Sequence, residues 1–298
     1  MTSISAIQTT GLAKSFGPVK AVQNLNLSVK AHQITAFLGL NGAGKSTTIK
    51  MLLGMIRPSN GGGEVLGSSI NDPRELVSLR RKIAYVSESK QLYDYMTVEQ
   101  MIRFTRPFYL DWDLDMEKKL IAAYELPLNR RIKSLSKGMR TKTALLLAFA
   151  RRPELLILDE PSEGLDPIGI EQMLESLVTH CSEGTTVFFS SHQISEVERI
   201  ADNVCMLHRG NLVLDAAMDD LRESYRQIDV VFPSVRNQAD VQLAGVTSVR
   251  SSGRQMSILV RENADAVVER AGDLKAVSIQ ILPVGLREIF LENAKERE

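Results

Sequence analysis

The chain has 298 residues, 44% apolar and 24% charged, the balance of an ordinary soluble globular protein with room for one large domain or two. Its 36 basic and 36 acidic residues cancel to a formal net charge of +0, which excludes binding of nucleic acid by bulk electrostatics though not by a local patch. Its two cysteines, Cys181 and Cys205, form no C-x-x-C pair, which excludes a disulfide framework and a cysteine-based zinc site. The start of the chain, Met1-Thr2-Ser3-Ile4-Ser5, lacks the basic stretch and apolar core of a signal peptide. The longest apolar run, Ala144 to Ala150, is far too short to span a bilayer. Work at a membrane therefore requires another chain to supply the span.

In chain order, apolar residues alternate with polar ones between Ile4 and Val29, with a turn at Gly17-Pro18, so antiparallel strands are expected there. Ile34-Thr35-Ala36-Phe37-Leu38 reads as a strand, and Thr48 to Leu53 as a helix. Gly61-Gly62-Gly63 reads as a loop before a short strand, Glu64 to Gly67. A short helix, Pro73 to Lys82, and a strand, Ile83 to Val86, follow. Residues of about 88–152 change character: Met96 to Phe104, Leu114 to Tyr124 and Arg140 to Ala150 carry apolar residues at helical spacing, and Asp113 is placed to cap the second of these. This is a helical insert between strands of an α/β core. Leu155-Leu156-Ile157-Leu158 is wholly apolar, as a strand buried on both faces is. Helices at Ile170 to Cys181 and Ile194 to Ala201 alternate with strands at Thr186 to Phe189, Val204 to Leu207 and Leu212 to Leu214. A charged stretch, Leu221 to Gln227, marks a boundary, so that 1–221 form one domain and 222–298 a second. The strands around Val230, Val246, Ile258 and Ile279, with helices at Ala264 to Leu274 and Leu286 to Lys295, make that second domain a small α+β unit.

The chemistry starts at Gly39-Leu40-Asn41-Gly42-Ala43-Gly44-Lys45-Ser46-Thr47, which fits G-x-x-x-x-G-K-[ST] between a strand and a helix. Glycines let backbone wrap a polyphosphate, and the N–H groups at the helix start face the anion with the helix dipole behind them. Lys45 is placed to reach the β- and γ-phosphates, and the Ser46 hydroxyl to bind Mg²⁺. Downstream, the apolar strand ends in Asp159-Glu160. Such a strand carries an acid to the phosphate site, where Asp159 holds Mg²⁺ through water, and Glu160 can orient and deprotonate an attacking water. The bland reading of both acids is a strand stop followed by surface carboxylates.

A phosphate loop alone does not choose between kinases, GTPases and motor ATPases. Leu135-Ser136-Lys137-Gly138-Met139 resembles the LSGGQ signature of the ATP-binding cassette (ABC) transporter nucleotide-binding subunits, Asp159 to Pro167 resembles their acidic strand end and D-loop with Asp166, and Ser190-Ser191-His192 resembles their switch-histidine loop. Glu88, in Tyr85-Val86-Ser87-Glu88, falls where their Q-loop places a metal ligand, and Phe16 where an aromatic stacks on adenine. The resemblance covers about Ile4 to Leu221, with departures at Lys137, Met139, Glu88 and Glu163; those at the signature and Q-loop resemble the branch serving ABC-2 type exporters. It implies a P-loop NTPase fold, with a RecA-like core, an antiparallel β subdomain and a helical insert. It implies ATP and Mg²⁺ as ligands, and nucleotide contacts from Phe16, Asn41, Gly42, Ala43, Gly44, Lys45, Ser46 and Thr47. Ser46, Glu88 and Asp159 then hold the metal, and Lys45, Glu160 and His192 serve catalysis. Ser136, Lys137, Gly138 and Met139 close the site of a second subunit in a head-to-tail dimer, either a homodimer or a heterodimer with a paralogous ATPase. Lys137 adds a cation near that subunit's γ-phosphate. The other implied partner is a separate transmembrane permease, with this chain on the cytoplasmic face of the membrane and no nucleic acid bound.

Some residues keep two readings. Ser136 also suits a helix cap, Phe16 and Trp112 suit core packing, and His192 alone suits an ordinary loop. A soluble ABC ATPase acting on nucleic acid or the ribosome is the alternative function; a phosphotransferase leaves the signature unexplained. The extension after Leu221 resembles one common in the exporter branch, where it either stabilises the dimer or regulates hydrolysis.

Overall fold

The computed structural model describes residues 5–295. The chain divides after Asp215 into two compact units. The division lies upstream of the charged stretch near Leu221, because Leu221 is a buried residue of a helix in the second unit rather than part of an exposed linker.

The first unit holds two sheets. Strands β1 (Ser5–Phe16), β2 (Val19–Leu25), β3 (Ser28–Lys30), β5 (Asn60–Val65) and β6 (Ser68–Ser69) form the antiparallel one, in the order β2-β1-β5-β6 with β3 also on β1. The other has the order β11-β10-β4-β9-β8-β7, from β4 (Ile34–Leu38), β7 (Ile83–Val86), β8 (Leu155–Asp159), β9 (Thr186–Ser191), β10 (Asn203–His208) and β11 (Asn211–Ala217). The neighbours from β10 through β7 run parallel. Every residue of β4, β8 and β9 is buried, as the apolar runs require of strands covered on both faces. One buried cluster joins Leu12 and Leu25 of the antiparallel sheet, Ile49 and Leu52 of helix α1 (Lys45–Leu52), and Phe37 and Phe188 of the parallel sheet. The two sheets thereby grip the helix that follows the phosphate loop.

Gly61-Gly62-Gly63 is not a loop. It lies inside β5, paired with Thr10 and Thr9 of β1. A Cβ on Gly63 would stand 2.5 Å from the Gln8 carbonyl oxygen, so glycine permits a backbone approach that other residues forbid. Glycine as a turn signal loses here to glycine as a contact residue.

The helices are α2 (Pro73–Lys82), α3 (Val98–Thr105), α4 (Leu114–Ala123), α5 (Lys137–Phe149), α6 (Pro167–Ser182) and α7 (Ile194–Ile200). Their starts are written locally. Asp72 precedes Pro73 and accepts from Arg74 N–H. Thr97 and Gln100 form a reciprocal capping box. Asp113 accepts from the N–H groups of Asp115 and Met116, as its position suggested. Helix α5 begins at Lys137, three residues ahead of the apolar periodicity, because Ser136 caps it through Met139 N–H. Trp112 is a structural residue: its Nε1–H donates to Glu117, a buried carboxylate that Arg106 also binds at 2.6 Å.

The second unit comprises α8 (Met218–Ser224), β12 (Arg226–Val231), β13 (Val246–Ser252), β14 (Gln255–Val260), α9 (Ala264–Asp273), β15 (Ser278–Pro283) and α10 (Leu286–Lys295). Its strands form an antiparallel sheet in the order β13-β14-β12-β15. Ile228 and Val230 on one face of β12 pack with Val267 and Ala271 of α9. Asp229, between them in sequence, lies opposite Ser257 and Gln280 on the other face.

The Met116 N–H, then the Arg152 side chain, hold the Asp113 carboxyl below its ordinary 3.8. A depressed carboxyl stabilises the fold above its unfolded value and loses that contribution as pH falls through the folded one. Asp113→Ala is expected to cost about 1 kcal/mol at pH 7. Urea melts should show the gap to the wild type closing below about pH 4, and a gap that is constant with pH would refute the capping charge.

Candidate functional site

The site is built where β4, β8 and β9 end side by side. Past Leu38 the chain turns through Gly39 to Gly44 into α1. Gly44 has φ 109°, and a Cβ there would stand 2.3 Å from the Ala21 carbonyl oxygen on β2, so the loop is pressed against the antiparallel sheet. Asn41 and Gly42 are exposed, Ala43 is buried, and Ser46 and Thr47 are half-buried in the first turn of α1. This leaves the open side of the turn to backbone N–H groups, the arrangement that receives a polyphosphate. Lys45 is buried; its ammonium donates to the Gly39 carbonyl at 2.7 Å and lies 3.1 Å from Glu160 Oε1.

Asp159 ends β8 and Glu160 follows it directly, both buried. The Ser190 hydroxyl on neighbouring β9 joins them, donating to Asp159 Oδ1 at 2.7 Å and accepting from Glu160 N–H at 3.0 Å. Glu160 turns left-handed, φ 47°, which throws its carboxylate across the sheet ends. There Oε2 meets His192 Nδ1 at 2.8 Å while Oε1 faces Lys45. His192 stands exposed just beyond β9. Of the three residues assigned together from sequence, Glu160 thus contacts both Lys45 and His192.

Ser46, Glu88 and Asp159 line one open cleft of about 560 Å³. Burial, then Asp159 and Glu88, push the Tyr85 phenol well above its ordinary value, which places both acids beside it. Hydroxyl and carboxylate oxygens are the donor set of a hard divalent cation. Mg²⁺ keeps waters and phosphate oxygens among its ligands, and among the described residues no group of three or more His, Cys, Asp or Glu converges as a cage of its own. The residues therefore fit Mg²⁺ that arrives with a nucleotide.

The other wall of that cleft includes Lys137 and Glu163. The Lys137 ammonium is bonded to Glu163 of its own chain at 2.5 Å, and this bond holds the Glu163 carboxyl below its usual range. Sequence reading gave Lys137 to a partner's phosphate; the structure gives it an intramolecular carboxylate. Ser136 and Lys137 are exposed at the head of α5, with Gly138 and Met139 in its first turn. Asp166 caps α6, accepting from Gly169 N–H at 2.7 Å. Phe16 is 52% exposed under the Lys14 ammonium, so it is not a core residue and its ring is available to a ligand.

Three residues went unread in the sequence. Ser190 was quoted in a motif without a role. Glu196, one turn beyond His192 in sequence, is buried and accepts from Ser191 Oγ at 3.3 Å; burial pushes its carboxyl up. Lys90 is buried with its ammonium on the Glu160 carbonyl oxygen. No sequence signal marks Lys90; Glu196 carries the one-turn spacing from the histidine.

Comparison with known proteins fits this geometry. Residues 22–163 match the model of the ABC transporter family. The bacitracin transport ATP-binding protein BcrA of Bacillus licheniformis is 35% identical over 236 residues, 74% of this chain and 72% of that protein. The chain belongs to the ATP-binding subunits of ABC transporters. ABC transporter ATP-binding protein YtrB of Bacillus subtilis is 26% identical across 96% of this chain and 97% of its own. A solved ATP-binding subunit of an ABC transporter superposes with TM-score 0.65 at 30% identity, covering 74% of this chain and 92% of that one. The ABC cassette MJ0796, solved as a dimer with ADP and Pi, shares the fold at TM-score 0.64 and 22% identity, over 71% of this chain and 98% of its own. As an ABC ATPase subunit the chain binds ATP with Mg²⁺, hydrolyses it, dimerises, and works with separate transmembrane subunits.

Gly44→Ala tests the pressed loop. The added Cβ meets a backbone carbonyl and an unfavourable φ, and strain of this kind costs about 1–3 kcal/mol. The variant is expected to lose binding of a fluorescent ATP analogue; wild-type affinity would refute the packing argument.

Proposed function

We propose that this ABC ATPase powers an exporter, that Glu160 is its general base, and that it works on the cytoplasmic face of the membrane. The observation that carries the catalytic part is the pair of contacts made by the Glu160 carboxylate, with Lys45 through Oε1 and with His192 through Oε2. An ammonium held by a carboxylate at 3.1 Å is open to competition from a stronger anion. The β- and γ-phosphates of ATP draw Lys45 away, and Glu160 Oε1 is then free to take a proton from water. His192 stays on Oε2 and fixes the direction of the carboxylate. Lys45 compensates charge on the transferred phosphoryl group. Mg²⁺ at Ser46, Asp159 and Glu88 supplies electrostatic neutralisation of the phosphate oxygens when bound.

Ser136 to Met139 are read as the lid of a second subunit's site. Ser136 spends its hydroxyl on one N–H of α5, and the first turn keeps other N–H groups for an anion. Lys137 joins them by leaving Glu163. A homodimer or a pair with a paralogue both satisfy this geometry.

Among the described residues no helix is long and apolar enough to cross a membrane. The helical insert instead presents a run of exposed aromatic rings: Tyr95 to Tyr93 at 5.8 Å, Tyr93 to Phe104 at 5.6 Å, Phe104 to Phe108 at 5.5 Å. Exposed aromatics in contact form the kind of patch that partners cover. They start three residues after Lys90 in sequence and support docking of the transmembrane subunit there. Relatives named for bacitracin transport support the export reading.

Glu160→Gln is expected to keep ATP binding, lower turnover by roughly a hundredfold or more, and accumulate an ATP-bound dimer in size-exclusion chromatography. Unchanged turnover removes Glu160 from the chemistry. The pair Phe104→Ser and Phe108→Ser is expected to leave basal hydrolysis intact while abolishing co-purification with the membrane subunit; retained co-purification places docking elsewhere.

A further inference from the structure

Lys90 is 4% exposed, and no role above uses it. Its ammonium donates to the Glu160 carbonyl oxygen at 2.8 Å and lies 3.5 Å from that of Asp159. Desolvating an ammonium is costly and calls for strong partners. Glu163, Asp159 and Glu88 act on it electrostatically and Lys137 acts against them, yet its hydrogen bonds go to main-chain oxygens. The lysine is therefore aimed at the backbone of the strand end.

That backbone needs holding. Glu160 is a non-glycine residue at φ 47°, in the left-handed region that L side chains rarely adopt. The direction of its side chain follows from this turn. Ser190 fixes the N–H side of the residue and Lys90 the carbonyl side. The ties on the carboxylate are less secure: Lys45 is drawn off by phosphate, and His192 is exposed. Lys90 and Ser190 bind main-chain atoms of Glu160 and so leave its carboxylate free.

We propose that Lys90 is a positioning residue for hydrolysis: its buried ammonium clamps the Glu160 carbonyl and keeps the left-handed turn that aims the carboxylate at water. The proposal rests on Glu160 as general base. The clamp belongs to the segment Ser87 to Leu92, which runs from the metal side of the cleft to the exposed aromatics, and Lys90 ties that segment to the base.

The test uses the full chain and compares Lys90→Met, Lys90→Arg and Glu160→Gln with the wild type. Steady-state ATP hydrolysis gives kcat and KM; equilibrium binding of a fluorescent ATP analogue gives affinity. A hydrogen bond to a charged group is worth enough that its loss lowers kcat about tenfold or more. Lys90→Met is expected to show that drop with KM and nucleotide affinity within about twofold of wild type. Lys90→Arg, which retains a donor and the charge, is expected to recover part of the loss. Unchanged kcat in Lys90→Met beside an inactive Glu160→Gln overturns this proposal alone, while unchanged turnover in Glu160→Gln overturns both. Lost nucleotide binding in both lysine variants also overturns it, because the lysine then serves the fold and not the base.

Discussion

Two adjacent carboxylates buried at the end of one strand dominate this structure. Asp159 is 1% exposed and Glu160 6% exposed. Charges removed from water to that degree persist only with partners of good geometry. The surroundings answer that demand: a hydroxyl for Asp159 from Ser190, an ammonium and an imidazole for the Glu160 carboxylate, a second ammonium for its main-chain oxygen. Parallel strand order brings these partners together. β9, next to β8, delivers Ser190 and His192, and β4, on the other side of β9, delivers the phosphate loop with Lys45. The same burial that makes the acids expensive makes their interactions strong, because low local polarity amplifies each contact.

Apart from Phe16 at the end of β1, the antiparallel sheet contributes shape rather than chemistry. Its Ala21 carbonyl limits how far the phosphate loop can move, and its Leu12 and Leu25 complete the core beneath α1. The second unit has its own core around Ile228, Phe232 and Val267, so it folds around a separate set of contacts. None of the residues assigned to nucleotide chemistry belongs to it.

What could be read from sequence follows the range of the underlying interactions. The phosphate loop, the acids after Leu155 to Leu158 and the switch histidine were legible because each motif is contiguous and set by the strand that precedes it. Caps at Asp113 and Ser136 were legible for the same reason, since a cap acts within three residues. Lys90 was not legible, because its partner lies 70 residues away and lysine burial cannot be inferred from a polar stretch. Gly61 to Gly63 misled because composition records that glycine is permissive without recording whether a turn or a neighbouring strand requires it.

Lys137 and Glu163 depart together from the cassette pattern, are 26 residues apart, and are bonded to each other. They act as a single trait carried by two positions. A signature segment transplanted into this chain from a relative with a neutral residue at 137 would leave Glu163 without its bonded ammonium; a D-loop transplanted alone would leave Lys137 without its bonded carboxylate. Chimeras of such cassettes are therefore constrained to exchange both segments at once, since either half alone breaks the pair.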